Sequence, residues 1–241
     1  PFGTGHMGVT AENVAREHGV SRAEQDAFAL ESQARAAKAI AEGRFREQIV
    51  PVEIPSRKGP VRFDADEHPK ATSLEALAGL KAVFQKDGTV TAGNASGIND
   101  GAAALVLARA AAAAKAGLKP RARIVGYAHA GVRPEVMGIG PVPAVAALLG
   151  RTGLSAGDFD VIESNEAFAA QALAVSKQLG LDPAKVNPNG GAIALGHPVG
   201  ATGAILAVKA LYELERTGGR YGLVTMCIGG GQGIALALER V

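Results

Sequence analysis

The sequence has few cysteine and aromatic residues and almost no excess charge. Its 241 residues include one cysteine, which excludes an internal disulfide and is typical of a reducing cytoplasm. Tryptophan is absent and aromatic residues make up only 4% of the chain, so alanine must do much of the packing and helices should lie close to a sheet. A formal charge of +2 gives no reason to expect nucleic acid or a membrane surface as a partner.

Several other signals are missing as well. No apolar run reaches the roughly 20 residues that span a bilayer, and the start carries no secretory pattern, so we expect a cytoplasmic protein. No His-x-x-x-His or Cys-x-x-Cys pair exists, so no metal site is expected. The glycine-rich loops lack both the dinucleotide fingerprint and the P-loop lysine. The chain opens on Pro1-Phe-Gly-Thr-Gly-His-Met-Gly, which is typical of the interior of a protein.

The first hundred residues are predicted to be mostly helical. Thr10 can cap a short helix that Gly19 ends, and a capping box of Ser21 and Glu24 opens a helix to about Gly43. Further on, the predicted elements are an edge strand at most in residues 49–54, an exposed loop over 56–72 and a short helix capped by Ser73.

From residue 89 onward the pattern changes to alternating strands and helices. The apolar run 102–108 fits a buried strand, and an alanine-rich helix follows over 109–116. The later elements are strands at 122–129 and 159–163, helices at 143–150, 167–179 and 203–216, and strands at 221–227 and 233–240. This order predicts a layered α/β domain with a mixed sheet flanked by helices.

One glycine-rich loop carries a histidine: Asn187-Pro-Asn-Gly-Gly-Ala-Ile-Ala-Leu-Gly-His197-Pro-Val-Gly-Ala-Thr-Gly203. Its five glycines in 17 residues allow positive φ and a close approach to a ligand. An apolar helix-forming run follows, so His197 should precede a helix N-terminus, which disfavours a cationic ring and favours a neutral base. A phosphate-binding or plain turn-forming loop is an equal alternative for this stretch alone.

Two further motifs lie at strand ends. In Glu163-Ser-Asn165-Glu166-Ala-Phe168, taken alone, Asn165 is better read as a helix cap and Glu166 as a first-turn acid. Cys227 precedes three glycines whose N–H groups can stabilise a thiolate or an oxyanion, although a lone cysteine is most often a buried small hydrophobe. The spacings from Asn165 to His197 and on to Cys227 are 32 and 30 residues, so all three can converge on one cleft.

Taken together, these motifs resemble the thiolases. The similarity lies in Asn165-Glu-Ala-Phe, Gly-Gly-Ala-x-Ala-Leu-Gly-His197-Pro-x-Gly-Ala and Cys227-Ile-Gly-Gly-Gly-Gln-Gly. Further segments with the same resemblance are Gly5-His-Met-Gly, Thr10-Ala-Glu-Asn-Val and Thr91-Ala-Gly-Asn-Ala-Ser-Gly. It covers essentially the whole chain and looks closest to bacterial-type acetyl-CoA acetyltransferases and 3-ketoacyl-CoA thiolases. It implies reversible Claisen condensation of acyl-CoA molecules, with coenzyme A thioesters as substrates, no bound cofactor and a homotetramer.

The resemblance also implies roles for individual residues. His197 would activate the nucleophile and help to form the enolate oxyanion hole, which Asn165 would complete through an ordered water. Cys227 would move the proton at the α-carbon, and the N–H of Gly229 would belong to a second oxyanion hole. The positions that match the pantetheine and acyl pocket are Ser96, His6, Met7, Met137, Ala167 and Phe168.

One departure from the family is large. The cysteine that carries the acyl group belongs to a segment upstream of Pro1, and the only cysteine here matches the acid/base position. Residues 1–98 would then be a loop domain that covers the site and mediates tetramer contacts. Residues 99–119 would complete the N-terminal half, with apolar surface left without a partner, and 120–241 would be the whole C-terminal half.

The departure leaves three readings open. The leading one is the C-terminal portion of a thiolase that has no turnover alone. The second is a non-catalytic fragment that binds acyl-CoA. In the third, Cys227 has become the nucleophile of a synthase-like or hydrolytic reaction.

Overall fold

Two helices open the part of the chain that a computed structural model describes, residues 5–241; the opening residues 1–4 lie outside the described residues. Helix α1 spans Met7–Glu17 and begins at His6, whose Nδ1 accepts the N–H of Gly8 at 3.0 Å. The predicted start at Thr10 is therefore wrong. Helix α2 spans Arg22–Ala41 and opens with the predicted capping box of Ser21 and Glu24, which is confirmed.

A small exposed ribbon follows α2. Strands β1, Val52–Ile54, and β2, Val61–Phe63, pair antiparallel, so the predicted exposed loop contains a strand. Helix α3, Leu74–Ala78, has Ser73 as its N-cap, as predicted.

The segment 99–109 contains no hydrogen-bonded strand, so the predicted buried strand at 102–108 is wrong. Val106 is 94% exposed and Leu107 74% exposed. A strand needs a neighbour for its backbone N–H and C=O groups, and no segment within residues 5–241 pairs with this one. Helix α4, Ala110–Lys115, follows as predicted.

The remaining strands form one mixed sheet. They are β3, Ala122–Gly131, β4, Val161–Ser164, β5, Tyr221–Ile228, and β6, Gln232–Arg240, in the order β3-β6-β5-β4. Strands β4 and β5 run parallel, whereas β6 pairs antiparallel with both β5 and β3. The predicted mixed sheet is confirmed.

Helices cover both faces of this sheet. The four in this region are α5, Pro141–Thr152, α6, Ala169–Leu179, the single turn α7, Ala192–Leu195, and α8, Thr202–Thr217; 3₁₀ turns span Pro134–Ile139 and Ala156–Asp158. Leu148 of α5 packs with Leu223 on one face, whereas Leu214 of α8 packs with Val224 on the other. Neighbouring residues of β5 thus point to opposite layers. The predicted layered α/β architecture is confirmed.

Alanine keeps these layers close, as the composition predicted. Ala144 of α5 and Ala235 of β6 are fully buried in one layer, and Ala210 of α8 is fully buried in the other. Nowhere along residues 5–241 is a helix both long and apolar enough to cross a membrane.

Candidate active site

Asn165 lies directly after the buried strand β4. Its backbone N–H donates to the carbonyl of Thr225 at 3.0 Å, which holds it beside the end of β5. Helix α6 instead has Phe168 as its N-cap, without a side-chain hydrogen bond. The reading of Asn165 as a helix cap and of Glu166 as a first-turn acid is therefore wrong, because residues 165–168 lie outside the helix and Phe168 forms a β-bridge with Ala95 before the helix begins.

His197 is held at three points in the loop between α7 and α8. Its Nε2 lies 3.3 Å from Nδ2 of Asn165, and its Nδ1 lies 2.6 Å from Oγ1 of Thr202. Its backbone N–H donates to Oδ1 of Asn99 at 3.1 Å. Burial lowers the pKa of His197, so the ring is neutral at neutral pH. The ring thus lies ahead of helix α8, as predicted, and burial, rather than the helix N-terminus, is the cause that lowers its pKa.

A glycine is required immediately before this histidine. Gly196 has φ +94°, and a Cβ there would lie 2.6 Å from Oδ1 of Asn99. The backbone can therefore turn and approach Asn99 only without a side chain. His68 reaches the same amide, with its Nδ1 3.5 Å from Nδ2 of Asn99.

A buried carboxylate organises the start of the loop. Glu166 accepts hydrogen bonds from Ser32 Oγ at 2.7 Å, Asn187 Nδ2 at 2.8 Å and the N–H of Ile193 at 3.2 Å. Ser32 Oγ in turn accepts the N–H of Gly191 at 3.0 Å. Burial raises the pKa of Glu166, and these donors oppose that rise. Helix α2 is thereby joined to the loop that carries His197.

A buried ion pair supports the same loop from the sheet side. Lys209 Nζ lies 2.7 Å from Glu163 Oε2 and donates to the carbonyl of Gly190 at 2.6 Å. Burial raises the pKa of Glu163 to about 7, although Lys209 opposes the rise. The sequence did carry a signal for this pair, since Lys209 interrupts the apolar face that Leu206 and Ala210 form on α8.

Cys227 ends β5 inside an apolar cluster. It is 7% exposed and packs with Met137, Ala167 and Phe168, three of the predicted pocket residues. Burial raises the pKa of the Cys227 thiol to about 12, so the thiol is protonated at neutral pH. This environment fits the reading of a lone cysteine as a buried small hydrophobe. Within residues 5–241, Cys227 and His197 make no hydrogen bond to each other.

The glycines after Cys227 allow a tight turn and a close approach of two backbone segments. Gly230 and Gly231 have φ +91° and +93° and turn β5 into β6. A Cβ on Gly233 would lie 2.0 Å from the carbonyl carbon of Gly140, so these two backbones pass in direct contact. That approach brings the 3₁₀ turn with Met137 onto the hairpin.

The predicted residues from the start of the chain reach the same place. The His6 ring stacks on Phe84 with centroids 4.8 Å apart, and Phe84 meets Phe168 edge-on at 6.1 Å. A Cβ on Gly229 would lie 3.5 Å from the sulfur of Met7, so these two residues are neighbours. Sequence reasoning missed Phe84, which no motif singled out.

Ser96 lies against the bridge between β4 and α6. Its N–H and its hydroxyl both donate to the carbonyl of Ala167, each at 3.0 Å. The hydroxyl proton is therefore engaged, and the oxygen can only accept a hydrogen bond from a ligand. Ser96, which by resemblance matches a pocket position, thus lies beside Ala167, another of those positions.

Across the described range 5–241, no group of three or more His, Cys, Asp or Glu side chains could hold a metal ion. The polar groups of the candidate site are an amide and an imidazole in contact with each other, and a thiol in the apolar cluster that holds Ala167 and Phe168. Such a set can move protons and stabilise a developing oxyanion without further charge.

Known proteins that are similar to this chain in sequence and fold include thiolases. The sequence model described as "Thiolase, C-terminal domain" matches residues 118–240, and that of the N-terminal domain matches 2–111. A beta-ketothiolase of Cupriavidus necator is 63% identical, and a beta-ketoadipyl-CoA thiolase of Pseudomonas knackmussii is 62% identical; both alignments cover 100% of this chain, and 62% and 61% of those proteins.

The solved structures agree. An acetyl-CoA acetyltransferase of Bacillus anthracis superposes with TM-score 0.98 at 52% identity, covering 100% of this chain and 61% of that one. A human mitochondrial 3-ketoacyl-CoA thiolase in complex with CoA superposes with TM-score 0.90 at 46% identity, over 98% of this chain and 59% of that one. The chain thus spans about three fifths of the length of these relatives, and it belongs to the thiolase family.

Proposed function

We propose that this chain is the C-terminal portion of an acyl-CoA C-acyltransferase that performs reversible Claisen condensation of acetyl-CoA with an acyl-CoA to give a 3-ketoacyl-CoA. The observation that carries the proposal is the contact between Asn165 and His197 next to the apolar cluster of Cys227. The relatives named as thiolases, one of them in complex with CoA, support coenzyme A thioesters as the ligands. We further propose a cytoplasmic homotetramer that acts in fatty acid metabolism.

The proposed role of His197 follows from its neutral ring. A lone pair on Nε2 takes the proton of the nucleophilic thiol, and the resulting Nε2–H then donates to the enolate oxygen of the second thioester. The amide of Asn165 stands beside the same nitrogen and completes the oxyanion hole through a water. Gly229, next to Met7, supplies an N–H for the tetrahedral intermediate.

The proposed role of Cys227 uses its protonated thiol. In the cleavage direction, the thiol gives its proton to the α-carbon of the departing enolate and becomes a thiolate. In condensation, that thiolate takes the proton back from the α-carbon. Because the side chain lies among apolar groups, its thiolate is a strong base when formed.

The same burial argues against Cys227 as the acyl-carrying nucleophile, because nucleophiles of this kind have lowered pKa values. By resemblance the nucleophile belongs to a segment that this sequence does not contain. We therefore propose that the chain alone binds coenzyme A thioesters but does not turn them over.

Pantetheine would lie over Ser96, Phe168 and Met137. The Ser96 oxygen, whose proton is already donated, can accept an amide N–H of the ligand. Ser56 offers a matched control, since its hydroxyl also donates to a backbone carbonyl, at 2.7 Å, but in the exposed loop between β1 and β2.

The test combines calorimetry, turnover and mass measurement on the purified chain. We expect CoA binding that Ser96→Ala weakens and Ser56→Ala does not, no acetyl-CoA released from acetoacetyl-CoA and CoA, and no acetyl adduct on Cys227. Turnover by the chain alone would refute the assignment of the nucleophile to another segment. An adduct on Cys227 would support the nucleophile reading, and absence of CoA binding would contradict the acyl-CoA proposal itself.

A further inference from the structure

Thr202, the first residue of α8, stands behind the ring of His197. Its side chain is buried, with 3% of the residue exposed, and Oγ1 lies 2.6 Å from Nδ1 of His197 and 3.0 Å from the carbonyl of Pro198. We infer that Thr202 is a positioning residue that holds the proton of His197 on Nδ1 and so leaves the lone pair on Nε2. The inference deepens the proposed function, because only that tautomer lets His197 accept a proton on the side of Asn165.

The number of protons available for hydrogen bonds favours the tautomer with the proton on Nδ1 of His197. The hydroxyl of Thr202 has one proton, which it can give to Pro198 while its oxygen accepts from Nδ1–H. On the other side of the ring, the Nδ2 amide group of Asn165 has only protons to offer, so it pairs with a lone pair on Nε2. The resulting chain runs from Asn165 through the ring to Thr202 and on to Pro198, with three hydrogen bonds in one direction.

The other tautomer makes one hydrogen bond fewer. With the proton on Nε2, the amide of Asn165 must turn so that its oxygen accepts, and the hydroxyl of Thr202 must point at Nδ1 and away from Pro198. Rotation of the amide is available, because Oδ1 of Asn165 is buried without a partner among the described residues. Thr202 therefore decides the outcome, since without its oxygen the Nδ1–H would be buried and unpaired.

The site lets this be tested without disrupting the fold. The carbonyl of Pro198 also accepts the N–H groups of Ala201 at 2.8 Å and Thr202 at 2.9 Å, so removal of the hydroxyl does not leave that carbonyl without a donor. Thr202→Val keeps the volume of the side chain, and Thr202→Ser keeps the hydroxyl. These two variants separate the hydrogen bond from the packing.

The measurement is long-range ¹H–¹⁵N NMR of the full 241-residue chain labelled with ¹⁵N-histidine, with the His197 signals assigned by His197→Gln. We expect a protonated Nδ1 and an unprotonated Nε2 in the wild type and in Thr202→Ser. In Thr202→Val the proton should shift to Nε2.

Two results would overturn the inference: a wild type with its proton on Nε2, which needs no variant to fold, or a Thr202→Val spectrum unchanged from the wild type. The chemical shifts report the tautomer of His197 directly and do not depend on turnover. The expected tautomer in a chain that fails to bind CoA would refute the proposed function and leave the inference intact.

Discussion

The buried ion pair between Lys209 and Glu163 offers the sharpest test of what holds the histidine loop. Lys209→Met keeps most of the aliphatic length of the side chain but removes the ammonium. The variant leaves Glu163, which is 0% exposed, without a cation, and it leaves the carbonyl of Gly190 without a donor. Breaking a buried pair from one side costs about 3–5 kcal/mol, because an uncompensated charge stays buried.

The cost should depend on pH. The folded-state pKa of Glu163 is raised, to about 7 from an ordinary 4.5, so binding of a proton to Glu163 favours the folded chain. That contribution is complete below the unfolded pKa and is lost as pH rises through the folded one. Lys209 favours the charged form of Glu163, so its removal should raise the pKa of Glu163 further. The loss of folding free energy in Lys209→Met should therefore be smaller at about pH 5, where Glu163 is protonated, than at about pH 8.

Urea unfolding followed by circular dichroism measures this loss, with Glu163→Gln/Lys209→Met as the matched variant. For a chain of this length, 3–5 kcal/mol corresponds to a fall in melting temperature of roughly 6–20 °C. The double variant should recover much of the loss, because it buries no charge. A single variant within about 1 kcal/mol of the wild type, or a double variant with the sum of both single losses, would refute the reasoning.

Three further predictions concern the thiol of Cys227, the close approach of two backbones and the cap of α2. Cys227 should react with iodoacetamide far more slowly in the folded chain than in denaturant, because raising its pKa from 9.0 to about 12 leaves roughly a thousandfold less thiolate. Gly140→Ala should destabilise by about 1–3 kcal/mol, since its Cβ would lie 2.2 Å from the Gln232 carbonyl oxygen. Gly150→Ala, with open space around it, should instead stabilise by about 0.5–1 kcal/mol, and equal effects of the two would contradict the packing argument. Ser21→Ala should cost about 1 kcal/mol in thermal unfolding and Ser21→Thr clearly less.

Short sequence patterns predicted the helices and strands whose formation depends on a few neighbouring residues. The capping box of Ser21 and the strands predicted at 221–227 and 233–240 each depend on a few residues, and both predictions are confirmed. The run 102–108 has the composition of a buried strand, but a strand also requires a neighbour, and composition cannot supply one. The predicted start of α1 at Thr10 failed for a related reason, because His6 competes as a cap through its ring nitrogen.

The sequence predicted that Asn165 and His197 lie together, but it did not predict the electrostatics of the candidate site. Asn165 and His197 are in contact, as their motifs implied, whereas the protonated thiol of Cys227 is set by the side chains that enclose it. The bond between Ser32 and Glu166 joins residues 134 positions apart. No local pattern distinguishes such a serine from one that faces solvent, so this bond could be found only in the folded chain.

The hydrogen bond between Ser32 and Glu166 also bears on whether the chain can be cut into two independent parts. Residues 5–96 and residues 122–241 meet through Ser32 and Glu166, and again through Ser96 and Ala167, so the site belongs to neither part alone. A protease that cuts the exposed connection at 117–120 would therefore nick the chain without releasing a working module. The connection marks a boundary in sequence, whereas the folded interior is continuous across it.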